Sequence, residues 1–241
     1  MSSPVRYALA FGLALASGRA VADEAIDPWQ GLNQQVFAFN EFADRLLLRP
    51  VSVAYRFVLP AFAERGIHNV LENLQTPGVA INQLLQGKPA LAGSDAGRFL
   101  LNSSVGIAGL IDVASRVGLE AHQEDFGQTL NVWGIGPGPF MMLPLLGPSS
   151  PTAALGTAVD MLSQPTTWIG SDVLGYSVTA VDIVDTRAQL LDAEELITGD
   201  RYTFLRDAYM QRRNYLQADG VVEDSFLDGE GDDESAEGEL E

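Results

Sequence analysis

The sequence predicts an all-α fold interrupted by one Gly/Pro-rich loop or small hairpin. Three observations lead there. Apolar residues recur at three- and four-residue spacing along most of the chain, the period of a helix with one buried stripe. Pro and Gly stand where helices start and stop, at Asp27-Pro28, Gly87 and Pro89. No alternating run is long enough to build a sheet.

The elements follow in order. Asp27-Pro28 reads as an N-cap followed by Pro at the first helical position. Behind it Leu32, Val36, Phe39, Ala43 and Leu47 share one face, widened by Phe37 and Phe42. Pro50 is expected to interrupt this helix, and VSVAYRFVL then runs to Pro60. A helix from Ala61 should turn Ile67, Val70, Leu71 and Leu74 inward and stop at Thr76-Pro77-Gly78. VAINQLLQG forms a short helix ending at Gly87, and Pro89 opens PALAGSDAGRFLLNSS. Further helices are expected over TAALGTAVDMLS, near SDVLGYSVTAVDIVDTRAQLL and from Asp200, where Tyr202, Leu205, Tyr209 and Leu216 mark an inner face. Several of these pieces are short and very apolar. Short helices gain most of their stability by burying a face, either in one core or in a bilayer interface, and the sequence leaves both open.

The two ends differ from the middle. Arg6, the apolar YALAFGLALA and Ala20-Val21-Ala22 before Asp23 have the order of a cleaved secretory signal, with cleavage between Ala22 and Asp23. Residues 219–241 hold eleven of the 32 Asp and Glu and no Lys or Arg, so an acidic disordered tail is expected. The helical domain then covers residues 23–218. The chain has no Cys, hence no disulfide framework. A formal net charge of −18 disfavours nucleic acid as a partner and also adsorption to an anionic bilayer by charge alone. Any membrane partner must be met by apolar burial.

Residues Phe126 to Pro151, FGQTLNVWGIGPGPFMMLPLLGPSSP, pose the main question. The stretch lacks the Lys of a phosphate-binding loop, and its prolines break the strand-to-helix setting of a dinucleotide fingerprint. No GxSxG elbow occurs. His68 reads as a surface residue. His122, beside Glu124 and Asp125, suggests a cap or turn more than a metal ligand. Asn102 reads as a cap or turn at a helix end. These residues point to no catalytic, metal or cofactor site, and so away from an enzyme.

The order of motifs resembles the MlaA (VacJ) family. It begins at DPWQGLNQQVFAFNEFADRLLLRPVSVAYRFVLP and continues through NLQTPGVAINQLLQGKPALAGSDAGRFLLNSSVGIAGLIDVA and HQEDFGQTLNVWGIGPGPFMMLPLLGPSSP. It closes on DTRAQLLDAEELITGDRYTFLRDAYMQRRNYL. The resemblance implies a ring-like arrangement of short helices in the inner leaflet of a Gram-negative outer membrane, around an amphipathic channel. It implies phospholipid, a trimeric outer-membrane porin and a soluble periplasmic lipid carrier as partners, and removal of misplaced phospholipid from the outer leaflet as the function. A porin-associated structural protein without transport of its own is the alternative. Family members usually carry a lipobox Cys, which is missing here and puts a lipid anchor in doubt. On this basis Trp133, Gly134, Gly136, Gly138, Phe140, Met141, Met142, Leu143, Leu145 and Leu146 are candidates for a lipid path or gate, with Trp133 and Phe140 at the interface. Arg98 and Arg206 are candidates for headgroup contacts.

Overall fold

Asp27 precedes the first helix among the described residues without capping it. In the computed structural model, which describes residues 27–164, 172–197 and 199–220, helix α1 (Gln30–Ala43) has Trp29 at its N-cap and no side-chain acceptor there. Asp27 instead accepts from Asn33 Nδ2 at 2.7 Å and from the Tyr202 hydroxyl. The expected signal cleavage at Ala22–Asp23 and the acidic segment 221–241 lie outside the described residues.

Neither internal proline breaks its helix. Helix α1 passes through a π-helical turn, Asp44–Leu48, directly into α2 (Arg49–Val58). Pro50 has no N–H to give and its ring would press on the Leu46 carbonyl. A wider turn just ahead of it absorbs that mismatch, and Arg187 holds the turn by gripping Asp44 at 2.6 and 2.9 Å. Helix α3 (Ala61–Leu85) likewise continues through Pro77 without a break. Its long packed face against α4 (Pro89–Ser104) keeps it whole despite the missing bond to the Asn73 carbonyl.

Two short helices follow, α5 (Val113–Arg116) and α6 (Phe126–Val132). A small antiparallel hairpin, β1 (Met141–Leu143) and β2 (Gly147–Ser149), pairs Met141 with Ser149. Helices α7 (Pro151–Ser163), α8 (Asp172–Gln189) and α9 (Arg201–Gln217) are the remaining α-helices among the described residues. The caps are conventional here: Asp125 accepts from Gln128 N at 2.8 Å, Ser150 from Ala153 N at 3.3 Å and Asp200 from Thr203 N at 2.8 Å.

Side-chain amides join the pieces. Asn33 and Asn40 lie two turns apart on α1 and clamp the hairpin. Asn33 accepts from Met142 N at 2.8 Å and Asn40 from Leu145 N at 2.7 Å, while Asn40 donates to the Leu143 carbonyl at 2.9 Å. At the other end of the chain, Tyr202 reaches Asp27 and Arg201 comes within 3.3 Å of Glu41. The last helix thus returns to the first, and the all-α arrangement is ring-like. Its apolar core is small: Phe140, Met142 and Tyr202, flanked by Phe37 and Tyr209, with rings meeting edge to face at 5.6 to 6.2 Å.

Burial is otherwise inverted. Asn33, Asn82, Gln83, Asp95, Arg98, Thr129 and Asp185 are buried. Phe57 is 89% exposed, Phe62 74%, and Leu46 and Leu47 68% each. Of the residues expected to face inward on α3, only Leu71 is buried. Water-soluble proteins do the reverse, and exposed apolar surface on this scale marks a face for lipid or protein. Among the described residues no helix is long and apolar enough to cross a membrane.

Candidate functional site: a polar cavity inside an apolar ring

The polar side chains inside the ring come from helical spacing. Asn69, Asn73 and Thr76 recur at four and three residues along α3, and Asp95, Arg98 and Asn102 at three and four along α4, so each set forms a stripe on one helix face. The two stripes, with Asp112, His122 to Asp125, Gln128 and Arg212, line a cavity of about 320 Å³. A second cavity of about 370 Å³ is lined by Gln86, Asn131, Gly134, Gly136, Pro137, Gln217 and Asp219. Gln128 and Leu216 line both, so the two adjoin.

The walls are braced by charge-assisted hydrogen bonds. Gln83 donates to Asp95 at 2.7 Å, and His122 Nδ1 lies 2.8 Å from the same carboxylate. Asn82 bridges Asp160, at 2.8 Å, to the Thr129 hydroxyl, at 2.9 Å. Arg213 makes a two-pronged contact with Asp125. Burial alone would raise the Asp125 carboxyl, but Arg213 and the Gln128 amide outweigh it and hold it below the usual carboxylate range. At Asp160 burial outweighs the hydrogen bonds from the Phe126 amide and Asn82 and pushes the carboxyl up. Several buried atoms of the lining residues stay without a partner among the described residues: Asn73 Oδ1, Gln86 Oε1, Gln217 Nε2 and both amide atoms of Asn131. A buried polar atom left so costs roughly 1–3 kcal/mol.

The candidate lipid path splits into three parts. Gly134 and Gly136 line the second cavity. Trp133 stands beside them, half-exposed, its indole N–H donating to the Leu85 carbonyl at 3.0 Å. Phe140 and Met142 are core, and the interface position expected for Phe140 is corrected: its ring is fully buried between Tyr202 and Tyr209. Gly138, whose positive φ suits glycine, packs against the Pro151 ring, and Met141 and Leu143 are half-buried in β1. Leu145 and Leu146 project from the hairpin tip, 72% and 63% exposed.

The candidate headgroup contacts also separate. Arg98 lines the first cavity, but its donors are engaged by Ser115 Oγ at 3.1 Å, by the Leu119 carbonyl and by Asp112 at 3.4 Å. It is a strut of the wall. Arg206 lines neither cavity and pairs with its neighbour Asp207 at 2.8 Å.

With this geometry in view, comparison with known proteins is decisive. The model of the MlaA lipoprotein family matches residues 25–216. The chain belongs to the MlaA family. The intermembrane phospholipid transport system lipoprotein MlaA of Escherichia coli (strain K12) is 33% identical over 202 residues, covering 81% of this chain and 80% of that protein. The protein of the same name from Haemophilus influenzae is 30% identical over 212 residues, covering 84% and 83%. A solved structure from work on the structural basis for maintenance of bacterial outer membrane lipid asymmetry superposes with a TM-score of 0.71 at 35% identity, covering 79% of this chain and 98% of that one. The ring-like helical fold is therefore the MlaA fold.

Two histidines in this MlaA-family chain depart from expectation. His122 neither caps nor turns, since Asp125 caps α6 and His122 reaches Asp95. His68 is no free surface residue: it sits between Glu72, at 3.3 Å, and Asp185, at 2.9 Å. Its hydrogen bond to Glu72, helped by Asp185 and opposed by burial, pushes the imidazole up to about 9. Asn102 does cap: its side-chain Oδ1 accepts from the Val113 and Ala114 amides at 2.9 Å each, at the start of α5. Sequence reasoning missed Asn69, Asn73 and Gln128, although the polar spacing on α3 and α4 was there to be read.

Proposed function

We propose that this chain is the outer-membrane component of intermembrane phospholipid transport, removing misplaced phospholipids from the outer leaflet and passing them to a periplasmic carrier. The observation that carries this reading is the inverted burial: polar cavities inside the ring and phenylalanines and leucines outside it. The outer faces sit among acyl chains of the inner leaflet, where their transfer from water is favourable. A lipid headgroup enters the polar interior while its chains stay in apolar surroundings. Gly134 and Gly136, on the second cavity, form the part of the path that a bulky side chain would close. Leu145 and Leu146 give the hairpin tip an apolar lip, and Trp133 stands beside the path. Part of the apolar outer face meets a porin trimer, and the periplasmic side meets the carrier. The work is passage, which needs no bond to be made or broken.

The test is deletion in the native host followed by measurement of outer-leaflet phospholipid. Loss of the chain raises it, the wild-type copy restores it, and Gly136→Trp, placed in open space, restores it poorly. Porin binding with normal lipid asymmetry in the deletion strain would replace this reading with that of a structural porin partner.

A further inference from the structure

A strained turn projects apolar residues from the surface of the ring. Between α4 and α5, Ile107, Ala108 and Gly109 all take left-handed backbone conformations, with φ of 55°, 56° and 95°. Glycine suits the third position, where a Cβ would also lie 2.9 Å from the Asn73 side chain. At Ile107 the same conformation presses a branched side chain against its own backbone, a strain that Gly or Asn would avoid. Packing inside the protein offsets little of it, because Ile107 is 61% exposed. Val105, Leu110 and Val117 nearby are exposed as well. Strain held at an exposed apolar residue points to a contact outside the chain.

The base of the turn is firmly held. The Ala108 and Gly109 amides donate to the Ser103 and Asn102 carbonyls at 3.1 and 2.8 Å, and the Ile111 amide to the Gly106 carbonyl at 2.9 Å. Asn69 Nδ2 donates to the Leu110 carbonyl at 3.2 Å. The Leu110 side chain lies over Gly66, where an added Cβ would stand 3.2 Å from it. Phe62, 74% exposed, is one helical turn before Gly66 on the same face of α3. The turn therefore adjoins the apolar outer face at Phe62.

Two arginines border this surface. Arg65 is next to Gly66 and Arg116 next to Val117, and both are exposed. Arg56, Arg187 and Arg213 are answered by Asp192, Asp44 and Asp125, but Arg65 and Arg116 form no ion pair among the described residues. Arg65 Nε donates to the Ala61 carbonyl at 3.1 Å, which leaves its terminal nitrogens to a partner elsewhere. An arginine stem lies well along apolar surface while its guanidinium stays at the polar boundary. There its fork matches a phosphate.

We propose that the 105–111 turn is a membrane anchor, with Ile107 and its apolar neighbours entering the leaflet around the ring and Arg65 and Arg116 taking the phosphates of its phospholipids. This rests on the reading that the ring lies in a leaflet, and it names the contact that fixes the depth of the ring there. The lipids so held are neighbours of the ring, distinct from the lipid in passage.

The test presents the full chain, purified in detergent and diluted, to vesicles of equimolar phosphatidylethanolamine and phosphatidylglycerol, with the bound fraction read by flotation at limiting lipid. Ile107→Asn should lower the partition constant about tenfold. Its melting temperature in detergent should rise by about 2–4 °C, because Asn accepts the left-handed turn. A side chain that served only the fold would lower the melting temperature instead. Arg65→Gln and Arg116→Gln should each lower partitioning about fivefold, and less in high salt. Arg206→Gln, which removes the same charge from a pair with Asp207, should change it by less than about twofold. If Ile107→Asn fails to fold, the two arginine variants decide the matter. On vesicles of an uncharged glycolipid, which offer chains without phosphate, the arginine effects should vanish, and their persistence would remove phosphate as the partner. Partitioning of all three variants within about twofold of wild type would overturn the anchor and leave the transport reading standing. A wild-type chain that does not float with vesicles would overturn the membrane placement and the anchor with it. Normal flotation of the variants, with loss of an outer-membrane protein that copurifies with wild type from the native host, would assign the turn to a protein partner.

Discussion

Phe57 offers the sharpest test of which solvent the outside of the ring meets. Its ring is 89% exposed near the end of α2, with Val58 beside it and Phe62 just past the Leu59-Pro60 turn, 73% and 74% exposed. In water such a position is nearly free of packing, and Phe57→Ser should change folding stability by no more than about 0.5 kcal/mol. Burying a Phe in an apolar medium is favourable by roughly 1.5–3 kcal/mol. If the face lies in lipid, the variant therefore loses about 2 kcal/mol of membrane partitioning, or about thirtyfold in the partition constant at RT near 0.59 kcal/mol. Flotation with phospholipid vesicles at limiting lipid reads that constant, and thermal melting followed by circular dichroism in detergent reads the fold. Partitioning within about threefold of wild type, with the fold intact, would refute a lipid-facing α2. A drop in stability of 2 kcal/mol or more would show instead that Phe57 is packed.

Two other perturbations follow from the same structure. His68 is raised to about 9 by Glu72 and Asp185, above its unfolded value near 6.5, so its stabilisation is complete below about pH 6.5 and is lost as pH rises through about 9. With the side chain 36% exposed, that contribution is discounted for screening to about 1 kcal/mol; melting temperature should fall between pH 7 and 10, and the same fall in His68→Gln would reject the assignment. Gly156→Ala would set a Cβ 2.3 Å from Gly127 N, where α6 and α7 meet backbone to backbone, whereas Gly136→Ala meets nothing within 4 Å. The first should cost roughly 1–3 kcal/mol and the second almost nothing, and equal melting temperatures for the two would contradict that packing.

Helix existence was legible because it depends on local chemistry. Asp200 and Pro89 announce their helices, and each does so in the structure. The errors came where tertiary context overrides a local rule. Pro50 reads as a stop because its effect on the next turn depends on whether the preceding backbone can widen, which the π turn and the Arg187–Asp44 pair permit. Asp27 reads as a cap because its real partners, Asn33 and Tyr202, are 6 and 175 residues away. The direction of the apolar faces was not legible. Periodicity marks a stripe and says nothing of the medium it meets, so Leu32, Phe39 and Leu47 look alike whether they face a core or a bilayer. The cavity was half legible: the polar stripe of α3 has the helical period, but its match with α4 depends on how the two helices pack.

On the proposed reading, a polar interior surrounded by lipid constrains its own wall. Lipid offers no hydrogen bonds, so every wall group must find a partner inside the protein or in whatever fills the cavity. Here most do: Asp95 takes Gln83 and His122, Asp160 takes Asn82 and the Phe126 amide, and Asp125 takes Arg213. A wall satisfied in this way stays open without a ligand and grips a passing headgroup at few points. Four amides beside the cavities, Asn73, Gln86, Asn131 and Gln217, keep an atom without a partner among the described residues. A conduit needs that balance, since a site favourable enough to enter must still be weak enough to leave. Filling the wall with free lysines would raise affinity for phosphate and trap the lipid. The economy of unpaired groups in this cavity is thus what passage between membranes requires of it.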